Sequence, residues 1–100
     1  MVRHVIIWKM KSEFSGEEKK KIKKAMKDAL EGLVGVVPGL KEMNIVIDPL
    51  ASSNGEVMLD SLMESEEALK NYAVHPEHVR VADTYVRPFM EVRMCMDYEV

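Results

Sequence analysis

The segment NYAVHPEHVRVADTY, residues 71–85, holds the side chains best suited to acid–base chemistry. Tyr72 stands three positions before His75, and His75 stands three positions before His78, with Pro76 between the histidines. A neutral imidazole with an ordinary pKa of about 6.5 can accept a proton near neutral pH. A tyrosine hydroxyl can donate a hydrogen bond to an oxygen on which charge develops. We therefore interpret His78 as a candidate general base that removes a proton next to a carbonyl. Tyr72 is then the candidate donor to the enolate or alkoxide oxygen.

The same three residues also fit a structural role, and the sequence leaves both interpretations open. In that role His75 caps or packs a corner between two helices, and His78 bonds a backbone carbonyl. Tyr72 would be an amphipathic core residue with its hydroxyl at the rim. A third possibility is that Tyr72 and His78 contact a ligand without catalysis. The structural role is favoured for His75, which otherwise is a candidate substrate-binding residue.

A proline separates the histidines that would have to share a metal ion. His75 and His78 could bind one metal only if a continuous helix ran through both, and Pro76 argues against that. A third ligand would then come from elsewhere in the chain: His4, Glu77 or Asp83. Cys95 is set aside because it lies on a different predicted strand. Structural zinc requires four nitrogen or sulfur ligands, and no such set is visible. We expect no metal site and, because there is no glycine-rich phosphate loop, no nucleotide or other cofactor.

Residues 2–10 predict a strand that is apolar on both faces. One face carries Val2, His4, Ile6, Trp8 and Met10, and the other carries Val5 and Ile7 between Arg3 and Lys9. A strand buried on two sides belongs in the middle of a sheet. If helices cover the first face, His4 meets Tyr72 and His78 at the edge of an apolar pocket, the usual form of a small-molecule site. His4, Ile6 and Trp8 are therefore candidate substrate-binding residues.

The next segments predict a helix and a hairpin. Residues 14–35 form the helix, with Ser15 as cap, Glu18 completing a capping box and Gly35 as the end. Its inner stripe is predicted from the helical spacing: Ile22, Ala25, Met26, Ala29, Leu30, Leu33 and Val34. Residues 40–48 and 56–63 form two strands, joined by a polar turn at Asn54-Gly55.

The last third of the chain predicts two short helices and a strand. Ser65 caps the first of these helices, and Pro76 suits the first turn of the second, which ends at Pro88. Residues 89–100 alternate apolar and polar side chains, as a strand does. Val79, Ala82 and Val86 are expected to face the core.

The predicted order is βαββαβ, the ferredoxin-like plan of the α+β class, in one domain of residues 1–100. It is a four-stranded antiparallel sheet with helices on one face. Val5 and Ile7 would then remain in water, at about 1.5–3 kcal/mol for each large side chain. A second copy removes that cost if two sheets pack face to face. We therefore predict an isologous homodimer with a closed or nearly closed α/β barrel.

Charge and composition narrow the choice of partner and compartment. The net charge is −3, and the lysines between residues 19 and 27 have no interleaved aromatic side chains, so nucleic acid is not an expected partner. The apolar run at the start is too short to span a membrane or to act as an ordinary signal peptide. One cysteine permits no internal disulfide. A cytoplasmic protein with no membrane partner is expected.

Three segments resemble the stress-responsive dimeric α/β-barrel (Dabb) family. They are MVRHVIIWKMK at the start, VPGLKEMNI before the second strand, and SEEALKNYAVHPEHVRVADTYVRPF, which is the most specific of the three. Together they span nearly the whole chain in the right order. The resemblance implies the same fold and the homodimeric barrel.

The resemblance also implies a possible reaction. One plant branch of the family consists of polyketide cyclases that close a linear poly-β-keto chain by an aldol-type condensation. The tyrosine and histidine that act in that branch match Tyr72 and His78, and a first-strand histidine near the pocket matches His4. The hypothesis is a cofactor-free lyase or cyclase acting on a small hydrophobic carbonyl compound. The alternatives are a non-catalytic stress-response ligand-binding or structural protein, and a cofactor-free monooxygenase of a related barrel family.

Overall fold

The computed structural model describes all 100 residues. The element order is β1 (Val2–Met10), α1 (Gly16–Glu31), β2 (Leu40–Val46), β3 (Val57–Met63), α2 (Glu66–Val74), α3 (Pro76–Val81) and β4 (Met90–Glu99). A π-helical turn, Ala82–Val86, and a 3₁₀ turn, Arg87–Phe89, connect α3 to β4. The predicted βαββαβ plan is confirmed, with its second helical crossover divided between α2 and α3.

The four strands form one antiparallel sheet in the order β2-β3-β1-β4. β1 therefore lies between two strands, as its two apolar faces predict. Its alternate side chains Val2, His4, Ile6, Trp8 and Met10 are buried on the face that the helices cover. This arrangement places His4, Ile6 and Trp8 beneath α2 and α3.

The opposite face of the sheet has no helix over it and is largely apolar. Cross-strand pairing aligns Ile7 with Met58 and Met94, and Val5 with Met96. Met94 and Met96 are each 69% exposed in the single chain, and Ile7 is 42% exposed. An apolar surface of this kind marks an interface, which agrees with the predicted homodimer.

Helix α1 begins as predicted and ends earlier than predicted. The Ser15 hydroxyl accepts the backbone N–H of Glu18, and the Glu18 carboxylate accepts the backbone N–H of Ser15, which completes the capping box. The helix ends at Glu31 because tight turns follow Gly32, and Gly35 only later adopts a φ of 87°. The predicted inner stripe is wrong at two positions, because the side chains of Ala25 and Val34 are exposed.

The remaining boundaries show further corrections. Helix α3 ends at Val81 rather than at Pro88, because the π-helical and 3₁₀ turns follow it, and Val81 rather than the half-buried Val79 is its core residue. Strand β2 ends at Val46 rather than at residue 48, and Ile47 still packs against the core from the following loop. Ser65 caps α2 through the backbone N–H of Ala68, and Pro76 occupies the first turn of α3, as predicted. None of these helices combines the length and the apolar character that crossing a membrane requires.

Candidate functional site

A cavity of about 260 Å³ lies between the sheet and the helical crossover that follows β3. Ten of its fourteen lining residues are hydrophobic. β1 contributes His4, Ile6 and Trp8, α2 contributes Tyr72, and α3 contributes His78. We call it the central cavity. It brings together five of the six residues that the sequence singled out.

Tyr72 is buried to 2% exposure, yet its hydroxyl has no hydrogen-bond partner. Every other buried side-chain nitrogen or oxygen atom of the chain has a hydrogen-bond partner. A buried polar group without a partner costs about 1–3 kcal/mol, so natural proteins rarely retain one without a use for it. Burial raises the pKa of this phenol, against a smaller opposing effect of Arg93, so the hydroxyl keeps its proton. Tyr72 is thus a hydrogen-bond donor that lines a cavity and lacks an acceptor.

His78 lies directly against Tyr72, with ring centroids 4.1 Å apart and planes at 37°. Its Nδ1 is 3.2 Å from the backbone oxygen of Ala73. Because a carbonyl oxygen only accepts hydrogen bonds, Nδ1 must carry the proton of the neutral ring. The lone pair is then on Nε2. The backbone bond that the structural interpretation anticipated for His78 also sets the tautomer that a general base needs.

The surroundings of His78 favour its neutral form. Burial lowers the pKa of His78, and the nearby positive charges of Arg87 and Arg93 act in the same direction. The hydrogen bond with Ala73 opposes these effects and is the second-largest influence. The lowered pKa of His78 keeps the ring neutral, and so available as a base, at neutral pH.

His4 approaches the same cavity from the sheet. It is 6% exposed, and its ring centroid lies 6.1 Å from that of Tyr72 in an edge-on arrangement. Its Nδ1 is 2.5 Å from Oδ1 of Asp97 on β4. The aspartate therefore orients the imidazole, as carboxylates commonly do for functional histidines.

His75 does not line the central cavity. It ends α2 and begins α3, and its Nδ1 accepts a hydrogen bond from the backbone N–H of Glu77 at 3.1 Å. An imidazole nitrogen here replaces the usual serine or aspartate oxygen of a helix cap. The geometry assigns His75 to the corner, which was the favoured interpretation of its spacing.

Two arginines that line the cavity were not predicted from the sequence. Arg87 follows the π-helical turn and pairs with Asp83, while Arg93 lies on β4 and forms no ion pair. The only available signal was the alternation of β4, which places Arg93 on the face of Cys95 and Asp97. That face reaches the cavity because β4 pairs with β1, with Trp8 opposite Arg93. The sequence alone gives neither the partner strand nor the register.

Cys95 also lies closer to the site than its position on another strand suggested. Its Sγ is 3.7 Å from Nδ1 of His4 and 3.6 Å from Oδ1 of Asp97. Cys95 does lie on a different strand, as predicted, but that strand, β4, is the immediate neighbour of β1 and brings Cys95 beside His4.

Comparison with known proteins agrees with this architecture. Residues 2–100 match the family described as the Stress responsive A/B Barrel Domain. The chain is 29% identical to olivetolic acid cyclase from Cannabis sativa, over 97% of this chain and 94% of that protein. Among solved structures, a dimeric protein of unknown function from Bacteroides fragilis has a ferredoxin-like fold. It superposes with a TM-score of 0.92 and 26% identity, over 99% of this chain and 95% of that chain.

An enzyme shares the fold at lower identity. Hydroxynitrile lyase from Passiflora edulis superposes with a TM-score of 0.71 and 20% identity, over 97% of this chain and 90% of that chain. The dimeric relative from Bacteroides fragilis supports the homodimer that the uncovered apolar face predicts.

Proposed function

The chain belongs to the Stress responsive A/B Barrel Domain family, and on that premise we propose that it is a homodimeric, cofactor-independent lyase or cyclase. Its substrate is a small, largely apolar carbonyl compound held in the central cavity. The reaction begins with removal of a proton from the carbon beside the carbonyl. The name of the relative from Cannabis sativa, a cyclase, supports this reaction class.

The observation that carries the proposal is the buried Tyr72 hydroxyl without an acceptor. A carbonyl oxygen in the cavity would supply that acceptor. As the carbonyl becomes an enolate or alkoxide, its oxygen gains negative charge, and the hydrogen bond from Tyr72 strengthens. The donor is already positioned in a mostly apolar cavity, so it need not reorganise during the reaction.

His78 supplies the base. Nδ1 is held by the backbone oxygen of Ala73, so the substrate proton would move to Nε2 and give an imidazolium. That proton would return to the new alkoxide or to the leaving group, so the reaction needs neither an external oxidant nor a metal. Arg93, which has no ion-pair partner, would stabilise the negative charge at the cavity edge.

Size and polarity limit the substrate class. A cavity of about 260 Å³ with mostly hydrophobic walls suits one aromatic ring or a short aliphatic chain. His4 and Arg93 provide polar contacts for a second oxygen on such a compound. A small β-keto compound, which carries two oxygens, meets both requirements, and a simple aryl-substituted ketone meets the size requirement alone.

The proposal is tested in two steps with phenylacetone, an aryl-substituted aliphatic ketone whose acidic C–H bonds lie between the ring and the carbonyl. Trp8 is the only tryptophan and lines the cavity, so its fluorescence should report binding. Deuterium incorporation at the activated carbon in D2O, followed by NMR, then reports proton abstraction. We expect wild-type protein to accelerate the exchange over buffer.

Two variants and a matched control decide the outcome. His78→Gln should reduce the exchange rate by about 10²-fold or more, and Tyr72→Phe by about 10²–10³-fold. Tyr85→Phe removes the hydroxyl of a half-buried tyrosine that does not line the cavity, and should leave the rate unchanged. Binding without accelerated exchange would favour the non-catalytic ligand-binding alternative. Full exchange activity in both cavity variants would rule out the proposed roles.

A further inference from the structure

We propose that His4, Cys95 and Asp97 form a binding site for one divalent transition-metal ion of the zinc class. One ligand atom from each residue lies within 4.8 Å of the other two. The three side chains come from adjacent strands and face the covered side of the sheet. The site is distinct from the Tyr72–His78 pair and shares only His4 with the central cavity.

Strand pairing creates the cluster. In the β1–β4 register, His4 is opposite Asp97 and Ile6 is opposite Cys95. Residues two apart on a strand point to the same face, so Cys95 and Asp97 both lie beside His4. Direct and diagonal cross-strand neighbours are within reach of side chains of this length.

The distances fit tetrahedral coordination with one adjustment. Zinc bonds of about 2.0–2.3 Å place the ligand atoms of this set about 3.3–3.6 Å apart. The Cys95 sulfur is 3.7 Å from Nδ1 of His4 and 3.6 Å from Oδ1 of Asp97. The His4–Asp97 separation of 2.5 Å is a hydrogen bond and must widen when a metal replaces the shared proton. Asp97 can move, because its side chain is 42% exposed.

The donor types select the class of metal. A thiolate and an imidazole suit zinc, cobalt(II) and similar ions, whereas magnesium and calcium prefer oxygen ligands alone. The thiolate and the carboxylate together neutralise a divalent charge. On binding, Cys95 releases its thiol proton to the buffer, and the proton that His4 Nδ1 shares with Asp97 transfers through solvent to Nε2, so one proton is released for each ion bound. Three protein ligands leave the fourth position open to water or a small ligand.

The surroundings of the cluster give an ion access from solvent. A second cleft, lined by His4, Cys95, Asp97 and α2 residues that include Lys70, opens the cluster to solvent. A metal ion that reaches the cluster through this cleft would stabilise the Cys95 thiolate.

The test uses the homodimer of this 100-residue chain without an affinity tag. It is stripped with a chelator and titrated with cobalt(II) and then zinc. We expect one ion per chain, a sulfur-to-cobalt charge-transfer band, and loss of that band when zinc displaces cobalt. Zinc should also protect Cys95 from alkylation by iodoacetamide. No stoichiometric binding at micromolar protein would overturn the proposal.

Variants separate this site from adventitious binding. Cys95→Ser should abolish the charge-transfer band, and Asp97→Asn should weaken cobalt binding by at least about tenfold. Glu99→Gln is the matched control, because Glu99 is a carboxylate on β4 that lines the same cleft outside the cluster. Binding that survives Cys95→Ser, or that falls equally in Glu99→Gln, would refute the site. These readouts do not depend on enzyme activity, so failure here leaves the proposed proton transfer standing.

Discussion

Tyr72 and His78 face each other with ring centroids 4.1 Å apart, across a corner where one helix ends and another begins. Pro76 makes this contact possible, since it cannot continue α2 but fits the first turn of α3. His75 stabilises the corner by accepting the backbone N–H of Glu77. The capped junction between the two helices therefore positions Tyr72 and His78, the two side chains best suited to acid–base chemistry.

Because the Tyr72 hydroxyl is buried without a hydrogen-bond partner, its removal is predicted to stabilise the fold. Tyr72→Phe removes a buried donor that has no partner, so we expect the free energy of unfolding to rise by about 1 kcal/mol. The same variant should lose affinity for a carbonyl ligand. Urea unfolding and Trp8 fluorescence titration measure the two effects. A clear loss of stability in Tyr72→Phe would mean that the hydroxyl has a partner in solution.

The lowered pKa of His78 gives a pH prediction. NMR titration of its ring should show a midpoint below the ordinary value of about 6.5, chiefly because of burial. The folded pKa lies below the unfolded one, so protonation favours the unfolded chain. The stability that neutral His78 contributes is present above about pH 6.5 and is lost as pH falls through the folded pKa.

The control for this effect compares the pH dependence of the unfolding free energy in the wild type and in His78→Gln. The variant lacks the titrating group, so its unfolding free energy should fall less steeply as pH drops below about 6.5. Parallel pH curves for the two proteins would contradict the shift.

The apolar face of the sheet predicts how the homodimer can be broken. Ile7→Glu places a charge at the centre of this face, and the two-fold symmetry introduces it twice. Losing two large apolar contacts at about 1.5–3 kcal/mol each should weaken dimerisation by about 10²–10⁴-fold. Sedimentation or light scattering should then detect the 11.4 kDa chain.

A second exposed apolar residue serves as the control for dimerisation. Val74, which is 74% exposed at the end of α2, lies on the helical side of the sheet. Val74→Glu should leave the dimer intact. Equal dissociation of both variants, or of neither, would exclude the uncovered face as the interface.

Alanine substitution at two glycines with positive φ distinguishes the cost of backbone strain from the cost of steric overlap. Gly35 has a φ of 87° and open space where an alanine methyl group would lie, whereas Gly39 has a φ of 84° and would place its Cβ 2.7 Å from Cβ of Ala68. Gly35→Ala should lower the free energy of unfolding by about 1–2 kcal/mol through strain alone. Gly39→Ala should lower it by about 1–3 kcal/mol more, because strand β2 and helix α2 must move apart.

Thermal or urea unfolding of both glycine variants measures the comparison. Gly16→Ala, at the start of α1 with no atom near its Cβ position, is the neutral reference. Equal losses in Gly35→Ala and Gly39→Ala would show that the contact with Ala68 relaxes without cost.

Local patterns in the sequence determined much of the fold. The two apolar faces of residues 2–10 required a central strand, and Ser15, Ser65 and Pro76 set the starts of three helices. These signals are local because capping bonds and strand alternation involve neighbours in the chain. The end of α1 was predicted less accurately, since Gly32 and Gly35 both allow a helix to stop, and the turns between them leave Leu33 buried in the core.

Local patterns predicted only part of the candidate site. Tyr72, His78 and His4 stand out by residue type, and the helix-covered face of β1 brings them to one cavity. Arg93, Cys95 and Asp97 join them only through the pairing of β4 with β1. That register is a long-range property: it depends on which strand becomes the neighbour and on the bulge near Met10, neither of which any local pattern contains. The tertiary structure alone also decided that the Tyr72 hydroxyl is buried without an acceptor, because burial is set by packing from several elements at once.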